Sequence, residues 1–217
     1  TGSMDSLLFV VVDLINRIGS DSATDSKERA LFAQLNLRAG AAAIAIPDFA
    51  GAATYAENGI SFLSDSCWET QYDLSLRLYE TAVLAHFSSN TDDRSKLMAY
   101  IHMIFDRAKD FSDKFNTHRV WTQVISMKQL PIAIEQCLIA LENLGEPLDL
   151  SSIDYIKTCE ELLDHEVSFS GESLLSKPLT DSNKRKAMMV MSSLIVYYHQ
   201  SKSFLAAVVS CRMIEMS

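Results

Sequence analysis

Apolar residues recur along this chain at helical spacing, interrupted at intervals by short polar breaks. The first stripe is Leu7, Val10, Val11, Leu14, Ile15 and Ile18, which predicts a helix over 5–18 capped by Asp5 or Ser6. Leu8 to Val12 could pass for a strand, but the stripe continues past Asp13 and favours helix. Residues 19–26 have loop composition, and Ser26 can cap a helix over 27–45. A helix over 48–63 follows, then the break Ser64-Asp65-Ser66. The helix over 68–87 is apolar nearly all round, as a helix covered on two sides must be. Ser88 to Thr91 form the next break. Helices over 92–109 and near 112–127 carry Leu97, Ile101 and Ile104, then Phe115, Trp121 and Val124. Leu130-Pro131 opens another helix, which Gly145 caps ahead of Pro147. The remaining helices are expected over 151–166, near 171–177, from a start within Thr180-Asp181-Ser182-Asn183 to about 199, and over 201–216. The last carries Phe204, Leu205, Val208, Val209 and Met213 and asks for a packing partner. With 7 glycines and 4 prolines in 217 residues, turns are too few for a β protein, so the fold class is all-α.

The stretch 36–63 organises the rest. Ala39, Gly40, Ala42 and Ala43 on one arm face Ala50, Ala52, Ala53, Ala56 and Gly59 on the other. Two helices approach this closely only where no long side chain separates them. Pro47 suits the first turn of the second arm, and Asp48 favours its positive end. The spacing fits a tetratricopeptide-type helix–turn–helix unit of about 34 residues, with Gly40, Phe49, Ala52, Ala56 and Gly59 in its small and aromatic places. An ordinary helix pair in a bundle is the alternative. Ala133 and Ala140 suggest a second hairpin, but out of step with a strict repeat, so the array is irregular or carries an insertion near 88–95. The expected architecture is antiparallel helix hairpins of tetratricopeptide type, stacked into a right-handed superhelix. Thr1-Gly2-Ser3 reads as a cloning scar. Residues 4–217 are expected to form one repeat domain, with a possible sub-boundary near 146–151, within a longer chain.

Composition narrows the function classes. Hydrophobic residues make up 48%, enough for a core and too many for disorder. The formal charge of -9 argues against nucleic acid, which needs clustered Lys and Arg. No apolar run reaches the length of a membrane span, and no secretion signal follows Met4. Cys67, Cys137, Cys159 and Cys211 are too scattered for a zinc knuckle. Cys137 and Cys159 fall within apolar helical patterns and read as buried thiols. A reducing, cytoplasmic setting is expected, with no metal and no cofactor.

Catalytic motifs are missing from the sequence. It contains no Gly-x-x-x-x-Gly-Lys-Ser/Thr, no His-Arg-Asp or Asp-Phe-Gly, no Gly-x-Ser-x-Gly and no His-Glu-x-x-His. His165-Glu166 lacks the residues that follow a phospho-accepting histidine and reads as a helix-end histidine. His102 and Asp106, at i and i+4, could share a metal, but a solvated pair is the simpler reading. His86 and His199 sit at helix C-termini, where the dipole favours them. The methionines, Met188, Met189 and Met191 among them, fill a core or an adaptable surface. Lys184-Arg185-Lys186 could contact a phosphate or an acidic partner, or be a solvated helix turn. Repeat geometry puts Asn36 and Arg38, on the first helix of a pair, on the concave partner-binding face.

Several segments resemble the helical region that follows the nucleotide-binding domain in giant multidomain signalling proteins. These join a protein-kinase-like domain, an AAA/STAND-type ATPase, this region, and sensor and output domains such as a histidine kinase or a cyclase. The matching residues begin with Asn16-Arg17, Leu31, Ala33, Leu35-Asn36-Leu37, Ala39-Gly40, Phe49, Ala52, Tyr55 and Gly59. Trp68 and Tyr72-Asp73-Leu74-Ser75-Leu76 come next, then Arg119-Val120 and Ala133 with Leu144-Gly145-Glu146-Pro147-Leu148. Pro178-Leu179-Thr180-Asp181, Lys186-Ala187-Met188 and Arg212-Met213 complete the order. The chain departs from the pattern at Val83, around Asn90-Thr91-Asp92 and at Leu179. The resemblance implies a non-catalytic scaffold for protein–protein or interdomain contact, relaying signals inside a large ATPase or kinase. Its partners would be a protein, a peptide or neighbouring domains of the same chain. A free-standing adaptor that binds a peptide in trans is the alternative. A helical enzyme is a remoter one, because Asp92-Asp93 runs into Arg-Ser-Lys rather than an Asp-Asp-x-x-Asp motif.

Overall fold

The computed structural model describes residues 2–19, 25–89, 94–148 and 180–216, and every regular element among them is an α-helix. The helices expected over 151–166 and 171–177 lie outside the described residues. The chain divides into two compact units, Thr1–Trp121 and Thr122–Ser217.

In the first unit, α1 (Gly2–Ile18) packs on α2 (Ser26–Ala45), and α2 and α3 (Phe49–Ser61) form the expected hairpin. Asp25, one residue ahead of the expected Ser26, caps α2 by accepting from Glu28 N at 2.8 Å. Asp48 caps α3 by accepting from Gly51 N at 2.9 Å, so Pro47 precedes the cap rather than opening the helix. The expected 68–87 helix is two pieces, α4 (Cys67–Thr70) and α5 (Tyr72–Ser88), parted at Gln71, whose ψ of 45° is not helical. Then come α6 (Ser95–Arg107) and α7 (Phe111–Ser126), a helix that runs through the unit boundary.

α3 lies against both α2 and α5, and α2 also touches α5. One apolar cluster joins Ala33, Leu37, Phe62 and Leu78, with Ile15, Phe32 and Ile60 around it. A second joins Ala43, Ala52, Ala53 and Ala85, with Phe9 and Tyr55 around it. Two glycines set the approach. A Cβ on Gly40 would stand 3.2 Å from Thr81 Cγ2 and 3.6 Å from the Ala52 carbonyl oxygen. A Cβ on Gly59 would stand 2.5 Å from Leu78 Cδ2 and 3.1 Å from Asn36 Cβ. The crowding of small residues along 36–63 is therefore what lets α2, α3 and α5 meet.

In the second unit, α8 (Leu130–Asn143) carries Pro131 in its first turn and Gly145 just beyond its end at φ 78°. Gly145 N bonds to Glu142 O and Glu146 N to Leu141 O, both at 3.0 Å, the double closure of a Schellman motif. α9 (Ser182–Gln200) packs on α8 and on α10 (Leu205–Met216). Ala133 and Ala140 are wholly buried, with Cys137, Leu141, Met191, Leu194 and Val209. α10 starts later than the expected 201 because α9 ends in its own Schellman closure at Lys202.

Candidate functional site

A groove open to a partner segment runs between α2 and α5. Gln34, Leu37, Arg38 and Ala41 recur every three or four residues along α2, so they share one face. Asp73, Leu74 and Arg77 line the opposite wall on α5, and the groove encloses about 440 Å³. Buried Leu37 and half-buried Leu74 make an apolar floor, while Arg38, Asp73 and Arg77 are exposed at the rim. Neither guanidinium is hydrogen-bonded among the described residues, so both are available to a carboxylate or a backbone carbonyl. One turn beyond Arg77, burial pushes the Glu80 carboxyl up, offset in part by a 3.2 Å hydrogen bond from Asn116.

Comparison with protein-family models, curated proteins and solved structures found no match. The site is therefore read from its own geometry.

Of the five sequence-expected partner-binding positions, Asn36 and Arg38 lie in the first unit and only Asn36 departs from expectation. Arg38 is exposed and lines the groove. Asn36 does not reach a partner. It is 0% exposed, because α1 lies over that side of α2. Its amide is spent on Asn16, through two reciprocal bonds of 2.9 Å, and on the Phe32 carbonyl at 3.0 Å. Lys184, Arg185 and Lys186 belong to the second unit, in the first turns of α9. Arg185 is exposed, while Lys184 and Lys186 are half-buried. The Asp181 carboxylate accepts from Asn183 N and Lys184 N at that helix start, placing a negative charge beside the basic run.

Two polar clusters in the first unit escaped sequence reading. A cleft of about 340 Å³ between α1 and α3 is lined by Asp13, Arg17, Thr54, Tyr55 and Asn58. There Tyr55 OH donates to Asp13 Oδ1 at 2.9 Å, and burial followed by that carboxylate pushes the phenol up to about 12. Such a phenol neither donates nor takes a proton readily near neutrality. The second cluster ties α3, α5 and α6 together. Glu57 Oε1 lies 2.8 Å from His86 Nε2 and accepts from Lys96 Nζ at 2.8 Å. Tyr100 packs tilted against His86 with ring centroids 5.6 Å apart. Burial alone would raise the Glu57 carboxyl, but hydrogen bonds from Lys96 and His86 outweigh it and hold the group below the ordinary glutamate range. His86 thus has a specific partner, beyond the helix-end placement its position suggested.

His102 and Asp106 are both exposed on α6, and no group of three metal-ligating side chains occurs among the described residues. Cys67 and Cys137 are free thiols. Cys137 is buried, which pushes its thiol up to about 12 and removes the thiolate that reactivity needs. Cys159 and His165 lie outside the described residues. No helix among the described residues is long and apolar enough to cross a membrane.

Proposed function

We propose that this chain is a non-catalytic helical-repeat scaffold, of tetratricopeptide-like architecture, that docks a protein segment and relays signals within a multidomain ATPase or kinase. The observation that carries the reading is the α2–α5 groove, with its apolar floor and its two exposed guanidiniums. In a stacked-hairpin array, α2 and α5 are the first helices of successive pairs, α2/α3 and α5/α6. First helices line the concave face of such arrays. The packing of α3 against both α2 and α5, with α2 also touching α5, supports that arrangement. The occupant is a peptide or a neighbouring domain carrying acidic side chains beside an apolar one. Docking there would bias an adjoining nucleotide switch by binding one of its states more tightly than the other.

The direct test is the sequence of the source transcript through both ends of this chain. A P-loop ahead of Met4, with sensor or output domains after Ser217, supports the relay. A start at Met4 with a stop just after Ser217 overturns it and leaves a free-standing adaptor that binds its peptide in trans.

A further inference from the structure

We propose that the outer face of α1 pairs with the same face of a second copy of this chain, parallel and in register. α1 is apolar on two sides. Its inner side is held by the body of the first unit: Val12 is wholly buried, Ile15 packs on the α2–α5 cluster, and Phe9 stacks on Tyr55 at 5.7 Å. Its outer side carries Leu7, Val10, Val11, Leu14 and Ile18, which remain 39–68% exposed. Isolated exposed leucines need no explanation, but five large apolar residues on one helix face do.

The order of those residues names the occupant. Leu7, Val11, Leu14 and Ile18 are spaced 4, 3 and 4, a two-heptad seam with leucine at d and β-branched residues at a. In a parallel pair that combination selects two strands with knobs-into-holes packing. No charge interrupts the seam, and Asp13 and Arg17 lie to one side of it. The patch is on the order of 500 Å², at the upper end of what monomers leave uncovered. Two patches face to face bury about 1,000 Å², the lower bound for a specific interface. Two heptads are too short to pair as free peptides, but here the helix is already formed on its own core, so pairing bears no nucleation cost. A lipid surface is disfavoured, because α1 has no basic cluster to flank its apolar face and the chain carries a charge of -9. The same charge makes self-association strengthen with salt.

Sedimentation of the chain over increasing concentration is expected to show a monomer–dimer equilibrium in the micromolar range, tightened by added salt. Leu7→Glu with Leu14→Glu should raise the dissociation constant at least about tenfold, with helix content unchanged and, below the wild-type dissociation constant, an unchanged melting temperature, because both side chains are exposed in the monomer. Leu7→Cys should form a disulfide-linked dimer under mild oxidation that wild type does not form, since a parallel register sets the d positions face to face. A wild-type chain that stays monomeric at every concentration, with or without binding to anionic vesicles, overturns the proposal. So does a dimer that survives the double charge substitution, or a Leu7→Cys chain that fails to cross-link.

Discussion

Asn16 and Asn36 hydrogen-bond each other twice, side-chain amide to side-chain amide, at 2.9 Å in both directions. The pair ties α1 to α2. Its two members are not equivalent, because Asn36 is wholly buried while Asn16 is half-buried. Asn16→Ala should therefore cost about 1–3 kcal/mol, the penalty for stranding a buried amide. The double change Asn16→Ala with Asn36→Ala should cost less than the sum of the single changes, because the stranded group leaves with its partner. Chemical denaturation of the four proteins in the cycle measures both; additive losses would mean that the two amides are not coupled.

Gly59 is the tightest point between α3 and its neighbours. An alanine methyl there would sit 2.5 Å from Leu78 Cδ2 and 3.1 Å from Asn36 Cβ, and Leu78 is itself wholly buried. Gly59→Ala gains helix propensity but overpacks, and the second effect is larger, for a net loss of about 1–3 kcal/mol. Adding Leu78→Ala should recover part of that loss, which thermal unfolding of the single and double variants would read.

Those contacts also mark where sequence reading succeeds and where it stops. The helices and their breaks were legible because apolar stripes, Asp and Ser caps and Gly145 act locally. The small residues of 36–63 announced a close hairpin for the same reason. Orienting α2 was harder, because Ala and Gly are spread around it and leave no stripe to say which side is buried; Asn36 was therefore assigned to the surface. α5 is apolar nearly all round, which hid both the break at Gln71 and the exposure of Arg77. The Glu57 cluster joins residues 29 and 39 positions apart, a juxtaposition that no spacing rule contains.

Two helix ends use the same left-handed closure with different residues. Gly145 holds φ 78° after α8, and Lys202 holds φ 54° after α9, where Lys202 N bonds His199 O at 3.0 Å and Ser203 N bonds Tyr198 O at 2.9 Å. A Cβ on Gly145 meets nothing within 4 Å, so Gly145→Ala tests the backbone alone and should cost about 1 kcal/mol. Lys202→Gly relieves the same strain but loosens the unfolded chain, leaving a gain of about 0.5 kcal/mol. Opposite shifts in melting temperature are the expected result; a fall in both variants would contradict it.

The Glu57 contact makes part of the stability acid-sensitive. Its carboxyl lies below the ordinary value of 4.5 in the folded chain, so the folded state releases its proton more readily than the unfolded one. The stabilisation is complete above 4.5 and is lost as pH falls through the folded value. Glu57→Gln should lower the melting temperature near neutrality and flatten its decline between about pH 5 and pH 3. Parallel curves for wild type and variant across that interval would show that Glu57 contributes nothing to the acid response.

The groove makes the sharpest functional prediction. Arg38 is exposed and outside the apolar core, so reversing its charge should change stability by no more than about 0.5 kcal/mol, whereas reversing Arg77 should cost more than that because it also acts on the half-buried Glu80 carboxyl. An acidic partner segment would then meet two repulsive charges at the rim in place of two attractive ones. Its affinity should fall at least about tenfold, with most of the loss appearing as slower association and weaker salt dependence. The flanking segments supplied by the transcript are the ligands to titrate, first against wild type and then against the chain carrying Arg38→Glu and Arg77→Glu. Reversing the exposed Lys128 and Lys202 instead serves as the control for general charge, since it makes the same change in net charge on the second unit. A loss confined to the groove variant identifies the α2–α5 groove as the docking surface. Equal losses in both would reduce the effect to overall electrostatics, and binding unaffected by either would remove the groove from the function.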